Sequence, residues 1–172
     1  MAGIDRLTEL MLHCNGADAA TTFTDNSYSS RNVTAVGNAQ LDTAQKKFGT
    51  ASGVFDGTGD GLTVPAVIDW NFDGDFAIDF WLRNNVANNR TIIKSVSNED
   101  WNSAATGDWI LALGGDDKLS FYVKNSGTAG ASGTAIIDRT WYHVAIVRHS
   151  NITKLYLDGT ADGGIINSIA TF

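Results

Sequence analysis

The acidic residues are the first candidates for chemistry, because two carboxylates about 5 Å apart hydrolyse glycosidic bonds in retaining enzymes. Only two of the 19 acidic residues are glutamates, Glu9 and Glu99, and they lie far apart in the sequence. The densest acidic run, Asp73, Asp75 and Asp79, surrounds a turn and the start of an apolar strand. Such a run is typical of solvated surface carboxylates. The sequence therefore favours a protein that is not an enzyme, with a glycoside hydrolase as the remote alternative.

Histidine and cysteine are the other residues suited to acid–base or nucleophilic chemistry. His13, His143 and His149 lie on different predicted elements, and none belongs to a serine or cysteine nucleophile motif. We expect His143 to be structural, since it lies in an apolar strand. Cys14 is the single cysteine, which excludes an intrachain disulfide and a cysteine-rich zinc site. We expect it to be a small buried apolar residue.

Aspartates in glycine-rich loops are potential ligands for calcium, which prefers oxygen donors. Asp56, Asp60, Asp116 and Asp117 lie in such loops, but their spacing does not follow the EF-hand pattern. Asp-Gly pairs are also common turn residues, which is the simpler interpretation. The sequence thus predicts no cofactor and no metal site, with Ca²⁺ left open.

One predicted loop has the composition of a saccharide-binding site. Sugars stack a C–H face on an aromatic ring while their hydroxyls need directed hydrogen bonds. A tryptophan between polar side chains meets both needs, and the candidate ligand-binding residues are Asn98, Glu99, Asp100, Trp101 and Asn102. The alternative is that Trp101 covers an open edge of the fold.

Composition excludes several classes of protein. The 172 residues carry a net charge of −7, which argues against binding to a nucleic acid backbone. No apolar run approaches the roughly 20 residues of a membrane span, so no membrane insertion is expected. Residues 1–6 lack the apolar region of a signal peptide. We therefore expect synthesis in a cytoplasm without a signal peptide.

Short alternating runs between Asp-Gly and Gly-Gly turns predict an all-β fold. Strands are predicted at Leu10–Cys14, Phe76–Leu82, Ile110–Leu113 and Leu119–Val123, and two more at Tyr142–Val147 and Leu155–Leu157. The strand at Tyr142–Val147 is apolar on both faces and is expected to be central. Residues 125–134, rich in Gly, Ala and Ser, are expected to form an exposed loop.

Several segments in order resemble the laminin-G-like branch of the concanavalin A-like jelly rolls. The resemblance spans about residues 10 to 160. It implies a jelly-roll β-sandwich of two antiparallel sheets, preceded by an N-terminal arm at 1–9 and formed by 10–172. The segments that carry it are Leu10–Gly16, Thr22–Asp25, Gly37–Gln40, Lys47–Ser52 with Phe55–Asp60, Gly74–Leu82, Thr140–Arg148 and Leu155–Gly159.

The form of two of these segments, Phe48–Ser52 and Trp141–Ala145, is similar to domains of bacteriophage virion proteins. The resemblance implies a non-enzymatic structural protein of the virion: a capsid decoration, head-fibre or tail-fibre subunit. Its partners would be other virion proteins and further copies of itself. The alternative is a lectin-like adhesin that binds carbohydrate on the host surface.

The closing strand that is usual in this family has no match in residues 165–172. A strand left without its neighbour exposes N–H and C=O groups that pair readily with another chain. We therefore expect a neighbouring subunit to complete the sandwich at the first strand or at the C-terminal segment. The expected subunit contacts on that strand are Leu10, Met11, Leu12, His13 and Cys14.

Overall fold

A computed structural model describes residues 5–65, 74–85, 90–95, 104, 107–124, 129–164 and 166–167. Their regular secondary structure consists of 13 β-strands, and the chain divides into two compact units, Met1–Asp69 and Trp70–Phe172. The predicted arm at 1–9 and domain at 10–172 stay a prediction. Within the described part, no helix has the length and apolar character needed to cross a membrane.

The first unit contains two short antiparallel strand pairs. β1 (Thr34–Val36) pairs with β4 (Gly61–Thr63), and β2 (Gln40–Asp42) pairs with β3 (Ser52–Val54). Each strand has only three residues, so the strand pairs contain few main-chain hydrogen bonds. Side-chain hydrogen bonds to the main chain hold much of the chain between the strands. The buried core of this unit consists of Phe23, Leu41 and Ala51.

The predicted strand at Leu10–Cys14 is wrong. Of these residues only Leu12 forms a β-bridge, with Asp25. The Asp25 carboxylate takes the place of a ladder carbonyl, since it accepts the main-chain N–H of Met11 at 2.9 Å. Cys14 has a φ of 53°, in the left-handed region, which interrupts an extended run. The segment is therefore held by the Asp25 side chain and by the main-chain bond from the Asn26 N–H to the Met11 oxygen at 2.8 Å, and not by a sheet.

The second unit consists of two antiparallel sheets. The five-stranded sheet has the order β12–β11–β10–β5, with β13 also paired to β11, and the four-stranded sheet has the order β6–β7–β8–β9. The strands of the first sheet are β5 (Phe76–Arg83), β10 (Trp141–His149), β11 (Ile152–Leu157), β12 (Thr160–Ala161) and β13 (Ile166–Asn167). Those of the second are β6 (Arg90–Lys94), β7 (Trp109–Leu113), β8 (Lys118–Val123) and β9 (Ala129–Ala135).

The core of this unit lies between the two sheets, as the alternation of apolar residues predicts. Leu111 and Phe121 of the four-stranded sheet are fully buried in one cluster with Val144 and Ile146 of the five-stranded sheet. Every second residue of β5 packs against that cluster, and β10 is central between β5 and β11. The predicted all-β sandwich of two antiparallel sheets is confirmed.

The predicted loop at 125–134 is wrong for its second part, because β9 begins at Ala129 and pairs with β8. The small residues of this segment give no apolar signal, and tertiary hydrogen bonds hold them as a strand. The Ser132 hydroxyl accepts the N–H of Leu119 at 2.9 Å. Thr134 donates its N–H and its hydroxyl to the Asp162 carboxylate, each at 3.1 Å.

Candidate functional site

The loop predicted to bind a ligand, Asn98, Glu99, Asp100, Trp101 and Asn102, lies outside the described residues. The predicted subunit contacts Leu10, Met11, Leu12 and Cys14 are half-buried, and His13 is exposed. Cys14 packs against the core of the first unit, and burial raises the pKa of its thiol despite a hydrogen bond from the main chain of Gly53. This agrees with the expected apolar role.

Glu9, one of the two glutamates, is paired with Arg31. Its carboxylate forms an ion pair with Arg31 at 2.6 Å, and its main-chain oxygen accepts a bond from the Arg31 Nε at 3.1 Å. Both contacts lie within the first unit and fasten residues near the N-terminus. Glu9 therefore acts as an anchor, a role that the sequence pattern does not reveal.

Three of the four aspartates considered for calcium accept main-chain N–H groups, while Oδ1 of Asp117 is buried without a hydrogen-bond partner among the described residues. Asp60 accepts the N–H of Asp56 at 2.8 Å, and Asp56 accepts the N–H of Thr58 at 2.7 Å. Asp116 accepts the N–H of Lys118 at 3.3 Å. Within the described ranges, no three His, Cys, Asp or Glu side chains are grouped in a way that could hold a metal ion.

Two aspartate–histidine pairs lie on the outer face of the five-stranded sheet. In the first, His143 Nε2 is 3.3 Å from Asp79 Oδ1, and the Trp81 ring is 5.3 Å from the imidazole ring, centroid to centroid. The register explains the contact, because Trp81 is paired directly with His143 and Asp79 lies two residues earlier on the same face. The pair and the ring join β5 to β10.

In the second pair, His149 Nδ1 is 2.7 Å from Asp75 Oδ2, and the other ring nitrogen is 3.3 Å from the hydroxyl of Ser150. The three groups thus form the order aspartate, histidine, serine. Ser150 could not be predicted from the sequence, because it is adjacent to His149 and belongs to no known nucleophile motif. The structure brings Asp75 to them through the pairing of β5 with β10.

The charge on Asp75 is favoured by its partners. The N–H of Ser150 is the largest influence on its pKa, and together with the hydrogen bond from His149 it outweighs the small effect of burial. The pKa of Asp75 is therefore lowered. The side chains of His149 and Asp75 are 79% and 57% exposed, so water competes for every bond in this group.

A depression of about 300 Å³ lies on the outer face of the four-stranded sheet. Its centre is formed by small residues on neighbouring strands, since Thr91 pairs with Ala112 and Ala112 pairs with Ser120. Arg90 and the half-exposed ring of Tyr122 also line it. Two hydroxyls and an aromatic ring beside an open hollow suit a polar ligand with an apolar face.

The fold is matched by a family model. The model of the concanavalin A-like lectin/glucanases superfamily matches residues 56–171, which include every strand of the second unit. The chain belongs to this superfamily. The expected jelly-roll fold is thereby confirmed, while the resemblance at Leu10–Phe55 lies outside the matched range. A search of the curated proteins finds no match to the chain.

Membership in the concanavalin A-like superfamily does not decide between a binding protein and an enzyme. The superfamily includes lectins and glucanases, so the same sandwich serves binding in some members and hydrolysis in others. It is compatible with adhesive and structural roles. The function of this chain must therefore be argued from its own surface.

Proposed function

We propose that this chain is a non-enzymatic structural protein of a bacteriophage virion. It attaches to other virion proteins and to copies of itself, and it presents its concanavalin A-like sandwich at the particle surface. The resemblance of two segments, Phe48–Ser52 and Trp141–Ala145, to virion domains supports this role. This role requires a surface that is complementary to the partner, and it requires no reacting group.

The observation that carries the proposal is an exposed apolar patch in the first unit. Leu7 is 84% exposed and Tyr28 is 67% exposed, while the Arg6 guanidinium lies 4.9 Å from the centre of the Tyr28 ring. Isolated exposed apolar residues are common, but a patch next to a cation is typical of protein contacts. We define Arg6, Leu7 and Tyr28 as the attachment patch.

The attachment patch is held in place by the residues beside it. Arg31 binds both the carboxylate and the main chain of Glu9, two residues from Leu7. The hydroxyl of Ser27, next to Tyr28, lies 3.3 Å from the main-chain oxygen of Glu9. A preformed patch loses less conformational entropy on binding, which favours a stable contact. The patch is therefore suited to permanent attachment.

The first test asks whether the chain is part of a particle. An antibody against the purified chain is used to probe particles from the source culture after density-gradient purification. We expect a constant number of copies per particle across gradient fractions. Absence of the chain from the particles, together with its recovery as free protein, overturns the virion proposal.

The second test examines the attachment patch itself by light scattering of the purified chain. We expect a defined oligomer that Leu7→Asp converts to monomers, because a buried carboxylate opposes the contact. Ile137→Asp is the matched control, since Ile137 is also exposed (65%) but lies in the second unit. Equal effects of the two substitutions would contradict this role of the attachment patch. The same holds if Leu7→Asp changes neither the oligomeric state nor the binding to particles.

The second candidate function is a lectin-like adhesin for host-surface carbohydrate. The depression beside Tyr122 favours it, because a half-exposed ring next to hydroxyl groups is the arrangement that sugars use. A glycan array with the unchanged chain, Tyr122→Ala and Trp101→Ala tests it. Loss of binding in Tyr122→Ala assigns the ligand to the depression, loss in Trp101→Ala assigns it to Asn98–Asn102, and no bound glycan on the array excludes the adhesin.

A further inference from the structure

We propose that Asn15 is a site of spontaneous covalent modification, at which the folded chain converts the asparagine side chain into a carboxylate through a cyclic imide. Asn15-Gly16 is the one Asn-Gly pair in the sequence of 172 residues. Both residues are exposed, so water reaches them. The inference concerns a reaction of the chain on itself, and it does not depend on attachment to a particle.

Packing in the first unit explains why a glycine follows Asn15. A Cβ at position 16 would collide with the side chain of Leu41, which belongs to the buried core of that unit. A glycine also leaves its main-chain nitrogen without a neighbouring side chain that would hinder a close approach. The nitrogen of Gly16 is therefore suited to attack Cγ of Asn15, which closes a five-membered ring.

Thr50 contacts both of the groups that react. Its main-chain N–H donates to Oδ1 of Asn15 at 2.8 Å, and its hydroxyl oxygen accepts the N–H of Gly16 at 3.0 Å. The same hydroxyl oxygen is 3.3 Å from Oδ1 of Asn15 and 3.4 Å from the main-chain oxygen of Gly16. One threonine thus orients the carbonyl that is attacked and the nitrogen that attacks, which lowers the entropic cost of ring closure.

Gly49 permits the contact between Asn15 and Thr50. It has a φ of 66°, and a Cβ at this position would collide with Oδ1 of Asn15. Because no side chain stands there, the Asn15 oxygen lies against the Gly49–Thr50 peptide and accepts its N–H. This donor points at the oxygen that becomes negative when the nitrogen attacks Cγ. An oxyanion hole stabilises acyl transfer in the same way.

The reaction balances with water as the only co-reactant. The Gly16 N–H proton passes to water through the Thr50 hydroxyl, which accepts one proton as it gives up another. The Gly16 nitrogen then bonds to Cγ of Asn15, the bond from Cγ to Nδ2 breaks, and Nδ2 takes a proton from water and leaves as ammonia. Water next opens the imide. Addition at Cγ gives aspartate, whereas addition at the main-chain carbonyl carbon gives isoaspartate.

The contact with Thr50 also selects the product. Oδ1 of Asn15 remains in the imide as the carbonyl oxygen that accepts the Thr50 N–H. A carbonyl that accepts a hydrogen bond is the better electrophile, so water adds at Cγ. The folded chain should therefore form a larger share of aspartate than the unfolded chain does. The product adds a negative charge to a chain whose net charge is already −7.

The test is peptide mapping by mass spectrometry during incubation at mildly alkaline pH, with fragmentation that separates aspartate from isoaspartate. Folded and urea-unfolded samples of the unchanged chain are compared. We expect faster conversion of Asn15 and a larger share of aspartate in the folded sample. Thr50→Val should slow conversion in the folded chain about fivefold, because one hydrogen bond to the reacting nitrogen is lost. Its aspartate share should persist, since the main-chain N–H remains, and Thr50→Ser should keep the rate.

Thr43→Val is the matched control, because it removes a threonine hydroxyl that contacts Asp18 in the same unit. It should leave the conversion of Asn15 unchanged. Asn38, which is exposed and followed by an alanine, should stay unconverted in the same maps. Urea denaturation shows whether each variant is folded.

Three results overturn the proposal: slower conversion in the folded than in the unfolded chain, an equal product ratio in the two samples, or an unchanged rate in folded Thr50→Val. The first two comparisons need no variant, so they decide the matter whether or not Thr50→Val folds. Detection of the chain on particles is a separate readout. Failure here therefore leaves the virion proposal intact, and the reverse also holds.

Discussion

His149 Nδ1 and Asp75 Oδ2 are 2.7 Å apart, and this contact joins the last residue of β10 to the residue before β5. The other carboxylate oxygen of Asp75 accepts the N–H of Ser150 at 2.9 Å. The Asp75 side chain therefore fixes both the imidazole ring of His149 and the turn at Ser150. The same contact places a histidine between an aspartate and a serine hydroxyl, which raises the question of whether the group reacts.

We expect Ser150 to be unreactive toward a fluorophosphonate probe. A serine nucleophile needs donors that stabilise the developing oxyanion, often including its own N–H. Here that N–H points at the Asp75 carboxylate, and the exposed His149 is hydrated. Mass spectrometry of the native and the heat-denatured chain should show equal, low labelling at Ser150.

Stoichiometric labelling of Ser150 in the native chain only, lost in His149→Ala, would contradict this expectation. The result would make a hydrolase the leading function. Release of sugar from glycan substrates, abolished by loss of one carboxylate of a close pair, would do the same by a different mechanism. Both experiments therefore test the proposed absence of catalysis directly.

Asp25 is expected to stabilise the first unit strongly. Its carboxylate is 6% exposed and accepts two main-chain N–H groups, from Met11 and Ser27, on one oxygen. The other oxygen accepts the Ser27 hydroxyl and the N–H of Arg31. Asp25→Asn removes one acceptor atom, so we expect a loss of about 2 to 4 kcal/mol in the free energy of unfolding. Urea denaturation at pH 7 measures it.

The stability contributed by Asp25 should depend on pH. Burial raises the pKa of the carboxyl, but the hydrogen bonds from Met11, Ser27 and Arg31 outweigh it, and the folded pKa is below the unfolded one. The contribution is complete above the unfolded value of about 3.9 and is lost as pH falls through the folded pKa. In the Asp25→Asn variant, the free energy of unfolding should lack this part of its decrease at acid pH. Asp5→Asn, at an exposed turn, is the control and should leave it unchanged.

Apolar alternation predicted much of the second unit, because β5, β10 and β11 each bury one face in a common core. It could not predict β9, whose Gly, Ala and Ser residues carry no apolar signal and depend on Ser132 and Asp162. The depression on the four-stranded sheet could not be predicted from the sequence either. It arises from the pairing of three strands, with an irregularity in register between Thr91 and Ile93.

Phe121 and Tyr122 are adjacent in β8 but face opposite sides of the sheet. Substitution of Phe121 should therefore affect stability, and substitution of Tyr122 should affect mainly the outer surface. Phe121 is fully buried and packs against Trp109, with ring centres 5.7 Å apart. Phe121→Ala should lower the free energy of unfolding by about 3 to 5 kcal/mol. Tyr122→Ala, on the exposed face, should lower it by less than about 1 kcal/mol. Urea denaturation of both variants checks this, and similar losses would contradict the outward orientation of Tyr122.

Gly163 is expected to be required for the edge strand β9. It has a φ of 88°, and a Cβ at this position would collide with the main-chain carbonyl of Ala131. Gly163→Ala should therefore cost about 1 to 3 kcal/mol of stability. It should also speed hydrogen exchange of the amides in β9, because Asp162, which holds Thr134, would be displaced with it.

Gly164→Ala is the matched control for this prediction. A Cβ there meets no atom within 4 Å, and the backbone needs no positive φ. We expect its stability and its exchange rates in β9 to match those of the unchanged chain. Equal behaviour of the two variants would mean that the close approach of Gly163 to Ala131 does not hold the strand.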